Sequence, residues 1–161
     1  MTQTVIEGVA PPPAPRRDKA MVLAAVRSYI ELHANGDWGD LDQAASDIAN
    51  AWHYGMDGYE LAKALESSYH WYGLCFDDAE ILDGISDVVR KAEETARKAW
   101  ANEWDIKPPL PIGTVITQGT IVALNEYSAA AYNVKQNGCT QDGRFLIVKF
   151  EDAVPAVKES A

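Results

Sequence analysis

Apolar residues recur at spacings of three and four from about residue 18 to residue 104, which is the period of helices with one buried face. Asp18 is placed as the N-cap of the first helix, and Asn35-Gly36 signals its end. The fourth and longest helix is predicted from about residue 78 to residue 103. The predicted apolar faces comprise Val22, Val26, Tyr29, Ile30 and His33; Leu41, Ala45, Ile48 and Trp52; Leu61, Leu65, Tyr69 and Tyr72; and Leu82, Ile85, Val89, Ala92, Ala96 and Trp100. The pattern predicts an N-terminal bundle of about four helices.

Three of these helices are predicted to begin with an aspartate that is followed three positions later by Gln or Glu. The pairs are Asp40 with Gln43, Asp57 with Glu60, and Asp77 with Glu80. In a capping box the first side chain accepts a free backbone N–H of the first turn, and the second returns to the N–H of the cap. We therefore interpret Asp77 and Glu80 as a helix start rather than as metal ligands.

The helical period ends at "DIKPPLPIG", where three prolines and a glycine favour a short rigid linker. The segments "TVITQGTIVALNEY", "AAYNVKQ" and "RFLIVKF" that follow are rich in β-branched and aromatic residues, which predicts a small antiparallel β-meander or barrel. The fold class is therefore α+β. The predicted domains are a flexible Pro-rich tail at 1–17, an acidic helical domain at 18–105, a linker at 106–112, a β subdomain at 113–153 and a tail at 154–161.

The charge of the chain is concentrated in the predicted helical domain. The 161 residues carry a formal net charge of −10. Residues 18–105 hold 18 acidic and 7 basic side chains, a net charge of −11. Such a surface disfavours binding to nucleic acid or to anionic membranes, because polyanion binding requires a basic face. The chain contains neither a long apolar run nor the pattern of a signal peptide, so we expect a cytoplasmic protein that does not bind membranes.

Nucleic-acid and zinc motifs are both poorly matched. The segment "IANAWHYGMDGYELAKAL" has loosely the spacing of a helix-turn-helix, but its second helix would present acidic residues where base and phosphate contacts need Arg, Lys, Asn or Gln. His53, His70 and Cys75 do not have the spacing of a zinc site. We therefore expect no direct binding to nucleic acid and no cofactor.

A carboxylate site for a divalent cation is one alternative. Asp83 and Asp87 are four residues apart, so their side chains lie on one face of a helix, and Mg²⁺ prefers oxygen ligands. This slightly resembles the acidic helices of the all-helical nucleotide pyrophosphatases, although their paired Glu-x-x-Glu pattern is not present. The resemblance implies a Mg²⁺-dependent hydrolase of phosphate esters or nucleotides. The other interpretation of the two aspartates is a solvated helix face.

Aromatic residues suggest a different kind of site. Six crowd two neighbouring helices, namely Trp52, Tyr54, Tyr59, Tyr69, Trp71 and Tyr72. Trp71 falls off the predicted apolar stripe, as an interface residue does, although a small domain also fills its core with large side chains.

The function predicted first is that of a non-catalytic acidic protein that binds a basic surface of another protein. Its predicted binding residues are Asp47, Glu66, Trp71 and Asp87. A sharper form of this prediction is an inhibitor that mimics nucleic acid and occupies a site built for phosphates. A small-ligand binder with a pocket between the helical and β parts is a further alternative, beside the hydrolase.

Overall fold

The computed structural model describes residues 8–34 and 38–157. Within these ranges the chain forms five helical segments followed by four antiparallel strands, which confirms the predicted α+β fold. The helices are α1 (Lys19–His33), α2 (Leu41–Ala51), α3 (Gly58–Tyr69), α4 (Phe76–Asp83) and α5 (Ile85–Glu103). The strands are β1 (Val115–Ile116), β2 (Gly119–Leu124), β3 (Ala131–Gln136) and β4 (Leu146–Lys149), and a 3₁₀ turn follows at Phe150–Asp152.

The chain divides into two compact units. One is Arg16–Glu93, and the other comprises Met1–Pro15 and Glu94–Ala161. We call the first the helical unit and the second the β unit. The division falls within α5, whereas the predicted domain boundaries follow the changes in sequence pattern at residues 17, 105 and 112.

Three of the four predicted N-caps are present, but of the predicted capping boxes only that of Asp57 with Glu60 forms, since the Gln43 side chain donates to Asp47 instead. The carboxylates of Asp18, Asp40 and Asp57 each accept a backbone N–H three residues later, at 2.8 Å. The Asn35-Gly36 end signal of α1 lies outside the described residues.

The predicted capping box of Asp77 with Glu80 is wrong. Helix α4 begins at Phe76, and the backbone N–H of Cys75 donates to Asp78 Oδ2 at 2.8 Å. The reciprocal bond is made two residues earlier than predicted, because the carboxylate that returns to the N-terminus belongs to Asp78. Asp77 therefore lies in the first turn, on the exposed surface.

The predicted fourth helix is present as two segments, α4 and α5, which meet at Gly84. The hydroxyl of Tyr29 on α1 donates to the Ile81 carbonyl at 2.8 Å, and a Cβ at residue 84 would collide with that hydroxyl. A side chain that inserts into the hydrogen-bond ladder is a known cause of a helix break. Burial of Tyr29, with a smaller contribution from the charge of Asp83, raises the pKa of the hydroxyl and so keeps it a donor.

The core of the helical unit is apolar and draws on every helix. Its fully buried members include Val26, Ile30, Ala45, Ile48, Leu61, Leu65, Leu82, Ile85 and Val89. All belong to the predicted apolar faces. Tyr72 was also predicted on such a face, but it is 80% exposed because α3 ends at Tyr69, and Ala44, at 1% exposed, was not predicted in the core. No described helix is both long and apolar enough to cross a membrane.

The sheet of the β unit is an open meander in the order β1-β2-β3-β4, so the meander is confirmed and the barrel is not. A register shift between Ile121 and Ala123 bends β2 against β3. The chain also pairs with β1 after the last strand, since Thr117 N–H donates to the Val154 carbonyl and Ala156 N–H to the Val115 carbonyl, each at 3.0 Å. Residues 154–156 thus extend the sheet.

An ion pair between a buried arginine and a more exposed glutamate lies beside this sheet. Arg97 is 4% exposed, and its Nη1 lies 2.6 Å from Glu151 Oε1. The same guanidinium donates to the Ala130 carbonyl at 3.1 Å and to the Ala129 carbonyl at 3.4 Å. These bonds satisfy a charge that would otherwise be costly to bury.

We expect acid to weaken the β unit through Glu151. Burial raises the pKa of this carboxyl, but the hydrogen bond and charge of Arg97 outweigh it and hold the pKa below the usual value of 4.5. Because the unfolded chain then binds the proton more readily, this stabilisation is complete above pH 4.5 and is lost as pH falls through the folded pKa. Denaturant unfolding between pH 6 and pH 3 should show a shallower pH dependence for Glu151→Gln than for the wild type. Parallel curves would contradict this.

Candidate functional site

A surface cleft between α3 and α4 is the first candidate site. It has a volume of about 340 Å³ and is lined by Tyr59, Ala62, Lys63, Glu66, Leu74, Cys75, Phe76 and Ala79. We call it the α3–α4 cleft. The α3 residues among these are spaced by three, one and three positions, so they form one continuous stripe of the helix. The cleft is therefore a groove between two packed helices, with alanines on both sides.

Gly58 allows α3 and α4 to approach each other closely. Its N–H donates to Asp83 Oδ1 at 2.9 Å, and a Cβ at this position would overlap the Ala79 carbonyl oxygen and lie 2.6 Å from the Asp83 backbone nitrogen. A carboxylate at the N-terminus of α3 is also favoured by the helix dipole. Asp83 thus holds the start of α3 against the end of α4.

Two large aromatic side chains stand open to solvent at the α3–α4 cleft. Tyr59 is 63% exposed and Phe76 is 75% exposed. Lys63 Nζ lies 4.5 Å from the centroid of the Tyr59 ring, a cation–π contact one helical turn along α3. An exposed aromatic pair beside a groove is the arrangement in which a partner's apolar side chain gains most from burial.

Acidic residues without a partner surround this apolar floor. Glu66 lines the cleft, and Glu80 lies one helical turn beyond Phe76. Within residues 8–34 and 38–157, the carboxylates of Glu66, Asp77 and Glu80 have no hydrogen-bond or ion-pair partner. Most other acids of the helical unit are used as helix caps or in ion pairs. These three are therefore free to meet a cation from outside the chain.

A second cleft of the helical unit lies at the N-terminus of α3. It has a volume of about 360 Å³ and is lined by Arg17, Trp52, Tyr54, Gly55, Met56, Asp57, Asp83, Ser86, Asp87 and Arg90. We call it the Trp52–Tyr54 cleft. The guanidinium carbon of Arg17 lies 5.6 Å from the centroid of Trp52 and 5.4 Å from that of Tyr54. The two clefts have no lining residue in common.

Two of the four predicted partner-binding residues bind each other. The indole Nε1 of Trp71 donates to Asp47 Oδ2 at 2.9 Å, and the rings of Trp71 and Trp38 are 5.6 Å apart. Trp71 is half-buried against the core of the helical unit. The tryptophan off the predicted stripe therefore has an internal neighbour on α2, and neither Trp71 nor Asp47 lines either of the two clefts described above.

The other predicted residues lie at separate sites. Glu66 lines the α3–α4 cleft, whereas Asp83 and Asp87 line the Trp52–Tyr54 cleft. Asp87 is paired with Arg90 at 3.1 Å. Sequence reasoning did not select Tyr59 or Phe76 as binding residues. The spacing of Tyr59, Ala62, Lys63 and Glu66 along α3 was the available signal for the first of them.

The metal-ligating residue types are dispersed. In the described ranges, no three His, Cys, Asp or Glu side chains converge in a way that could hold a metal ion. His70 Nδ1 lies 3.0 Å from the Tyr72 hydroxyl, and His53 Nδ1 lies 3.3 Å from the Tyr54 carbonyl. The hydrolase alternative based on Asp83 and Asp87 stays a prediction.

A half-buried carboxylate, Asp78, stabilises the start of α4 beside the α3–α4 cleft. Asp78 accepts hydrogen bonds from the Cys75 N–H and from the Trp38 indole at 2.9 Å. Burial alone raises the pKa of Asp78, but these hydrogen bonds lower it below the usual carboxyl value. The start of α4, including Phe76, is thereby fixed.

Comparison with known proteins adds no assignment to this geometry: no protein-family model matches the chain, and no curated protein or solved structure is similar to it.

Proposed function

We propose that the chain is a non-catalytic partner-binding protein whose α3–α4 cleft receives a short segment of another protein. The segment would carry an apolar side chain flanked by Lys or Arg. The observation that carries this proposal is the juxtaposition of two exposed aromatic rings, Tyr59 and Phe76, with carboxylates that have no partner inside the described chain.

Burial of apolar area supplies the first part of the argument. A partner side chain placed in the groove would cover Phe76, Tyr59 and the alanine floor, and removal of apolar surface from water contributes about 25 cal/mol per Å². Residues at the centre of such a contact typically cost about 2 kcal/mol or more when truncated. Phe76 is therefore the proposed anchor.

Charge supplies the second part. The net charge of −11 over residues 18–105 attracts a basic segment from a distance. Glu66 lines the cleft, and Asp77 and Glu80 are exposed on α4 near Phe76. Rim charges of this kind mainly raise the association rate and its dependence on salt. Each charge is expected to contribute about 0.2–1 kcal/mol to the binding free energy.

A selection from a random peptide library displayed on phage tests the proposal. The wild-type chain is the bait, and the double variant Phe76→Ala with Glu80→Lys is used for counter-selection. We expect enriched peptides to combine an aromatic or aliphatic residue with neighbouring Lys or Arg. Peptides that lack basic residues, or that bind the double variant equally well, would reject the cleft as the binding surface.

Kinetics on an enriched peptide then separate the two contributions. Phe76→Ala should raise the dissociation rate by about 30-fold, which corresponds to about 2 kcal/mol. Glu66→Gln with Glu80→Gln should lower the association rate and flatten its salt dependence. Tyr72→Ala is the matched control, since Tyr72 is 80% exposed on the same unit but lies outside the cleft. Equal effects of Phe76→Ala and Tyr72→Ala would contradict the proposal.

The narrower function, an inhibitor that mimics nucleic acid, stays a prediction. Duplex DNA should displace a captured partner from the wild-type chain if the two compete for one basic site.

A further inference from the structure

Arg17 occupies the Trp52–Tyr54 cleft as a ligand would. Its guanidinium lies over both aromatic rings, and its Nη2 and Nε donate to Glu93 Oε2 at 2.7 and 3.1 Å. The indole of Trp52 is itself held by a hydrogen bond from Nε1 to Ser86 Oγ at 3.1 Å. The aromatic wall against which the cation lies is thus fixed in place by α5.

The cleft has room and acceptors beyond those that Arg17 uses. A volume of about 360 Å³ remains open beside it, in the range of small-ligand sites. Tyr54 is 81% exposed, so much of its ring surface is free. Asp57 and Asp83 each bind an α3 backbone N–H through Oδ1, and their Oδ2 atoms make no hydrogen bond within the described chain.

These features favour a guanidinium over an ammonium group. A guanidinium is planar, stacks on aromatic faces, and presents several N–H donors that can bind more than one carboxylate oxygen. An ammonium is a more strongly hydrated point charge, and it gains less from a flat aromatic wall.

We propose that the Trp52–Tyr54 cleft is a receptor site for an arginine side chain of a second protein, with Arg17 as its internal competitor. The incoming guanidinium stacks on Tyr54 and binds the open oxygens of Asp57 and Asp83. Displacement of Arg17 then exposes more of the Trp52 and Tyr54 rings to the incoming guanidinium. This site is independent of the function proposed for the α3–α4 cleft.

Titration of the full chain with N-acetyl-arginine amide tests the site, with the NMR signal of the Trp52 indole N–H as the readout. We expect saturable shifts in the wild type and at least fivefold tighter binding in Arg17→Ala, because the internal competitor is removed. Tyr54→Ala should abolish binding, whereas Tyr72→Ala, a matched exposed tyrosine outside the cleft, should leave it unchanged.

Three results would overturn this assignment. They are the absence of a Trp52 shift in both wild type and Arg17→Ala, equal affinity for N-acetyl-lysine amide, and equal behaviour of Tyr54→Ala and Tyr72→Ala. The wild-type titration decides the question even if Arg17→Ala does not fold. Phe76→Ala should bind the arginine probe normally, so failure of this site and failure of the α3–α4 cleft give different results.

Discussion

Glu151→Ala is expected to destabilise the β unit by about 3 kcal/mol, because it leaves the buried charge of Arg97 without its partner. The guanidinium would keep its bonds to the carbonyls of Ala129 and Ala130, but these neutral acceptors do not compensate a full charge. Denaturant unfolding followed by circular dichroism measures the loss.

The double variant Arg97→Met with Glu151→Ala separates charge burial from packing. We expect it to be more stable than Glu151→Ala alone, since removal of the arginine also removes the unpaired charge. The matched control is Asp42→Ala, which breaks the exposed ion pair with Arg27 and should cost at most about 1 kcal/mol. If the double variant is less stable than both Glu151→Ala and Asp42→Ala, the two side chains stabilise the β unit through packing rather than through charge pairing.

Gly58→Ala is expected to cost about 3 kcal/mol, because the added methyl group meets backbone atoms that cannot rotate away. The Ala79 carbonyl oxygen and the Asp83 backbone nitrogen would both overlap the added methyl group, so α3 and α4 must separate. The same separation would widen the α3–α4 cleft and weaken binding of a selected peptide. Thermal unfolding and peptide titration measure the two effects.

Gly73→Ala is the matched control for this prediction. Gly73 has a positive φ of 83°, but a Cβ there has open space around it. We expect a loss of about 1 kcal/mol from backbone strain alone and no change in peptide affinity. Similar losses in both variants would mean that the close approach of α3 to α4 tolerates an extra methyl group.

Features of the fold that depend on neighbouring residues were predicted well. The caps at Asp18, Asp40 and Asp57 were found because a cap carboxylate and the backbone N–H that donates to it lie within one turn of each other. The start of α4 was misplaced because the same local rule was applied to the wrong residue. Asp77 is a typical N-cap residue, whereas Cys75, the residue that occupies the N-cap position, is not.

Features that depend on distant residues were not predictable in this way. The break at Gly84 arises from the hydroxyl of Tyr29, which donates to the carbonyl of Ile81, 52 positions further along the chain. Trp71 lies beyond the end of α3 at Tyr69, and its half-buried position comes from packing against Trp38 and from the hydrogen bond to Asp47 on α2.

The residues of the candidate site also divide into those that local sequence identified and those whose position depends on distant residues. Glu66 was selected from charge and lies at the α3–α4 cleft, as an exposed helical acid can be expected to do. Phe76 was not selected, because exposure of an aromatic residue at a helix start is decided by what packs around it. Asp47 was selected as a rim charge, yet its carboxylate accepts the Trp71 indole.

The two compact units differ in when their residues become available during synthesis on the ribosome. The helical unit is one continuous stretch, Arg16–Glu93, and its contacts can form as soon as that stretch has emerged. The β unit needs early and late residues together: Trp100 donates its indole N–H to the carbonyl of Pro12, 88 positions earlier, and β1 pairs with residues 154–156. The outer edge of β1 therefore stays unpaired until residues 154–156 have been made, and during that interval it is open to other nascent chains and to chaperones.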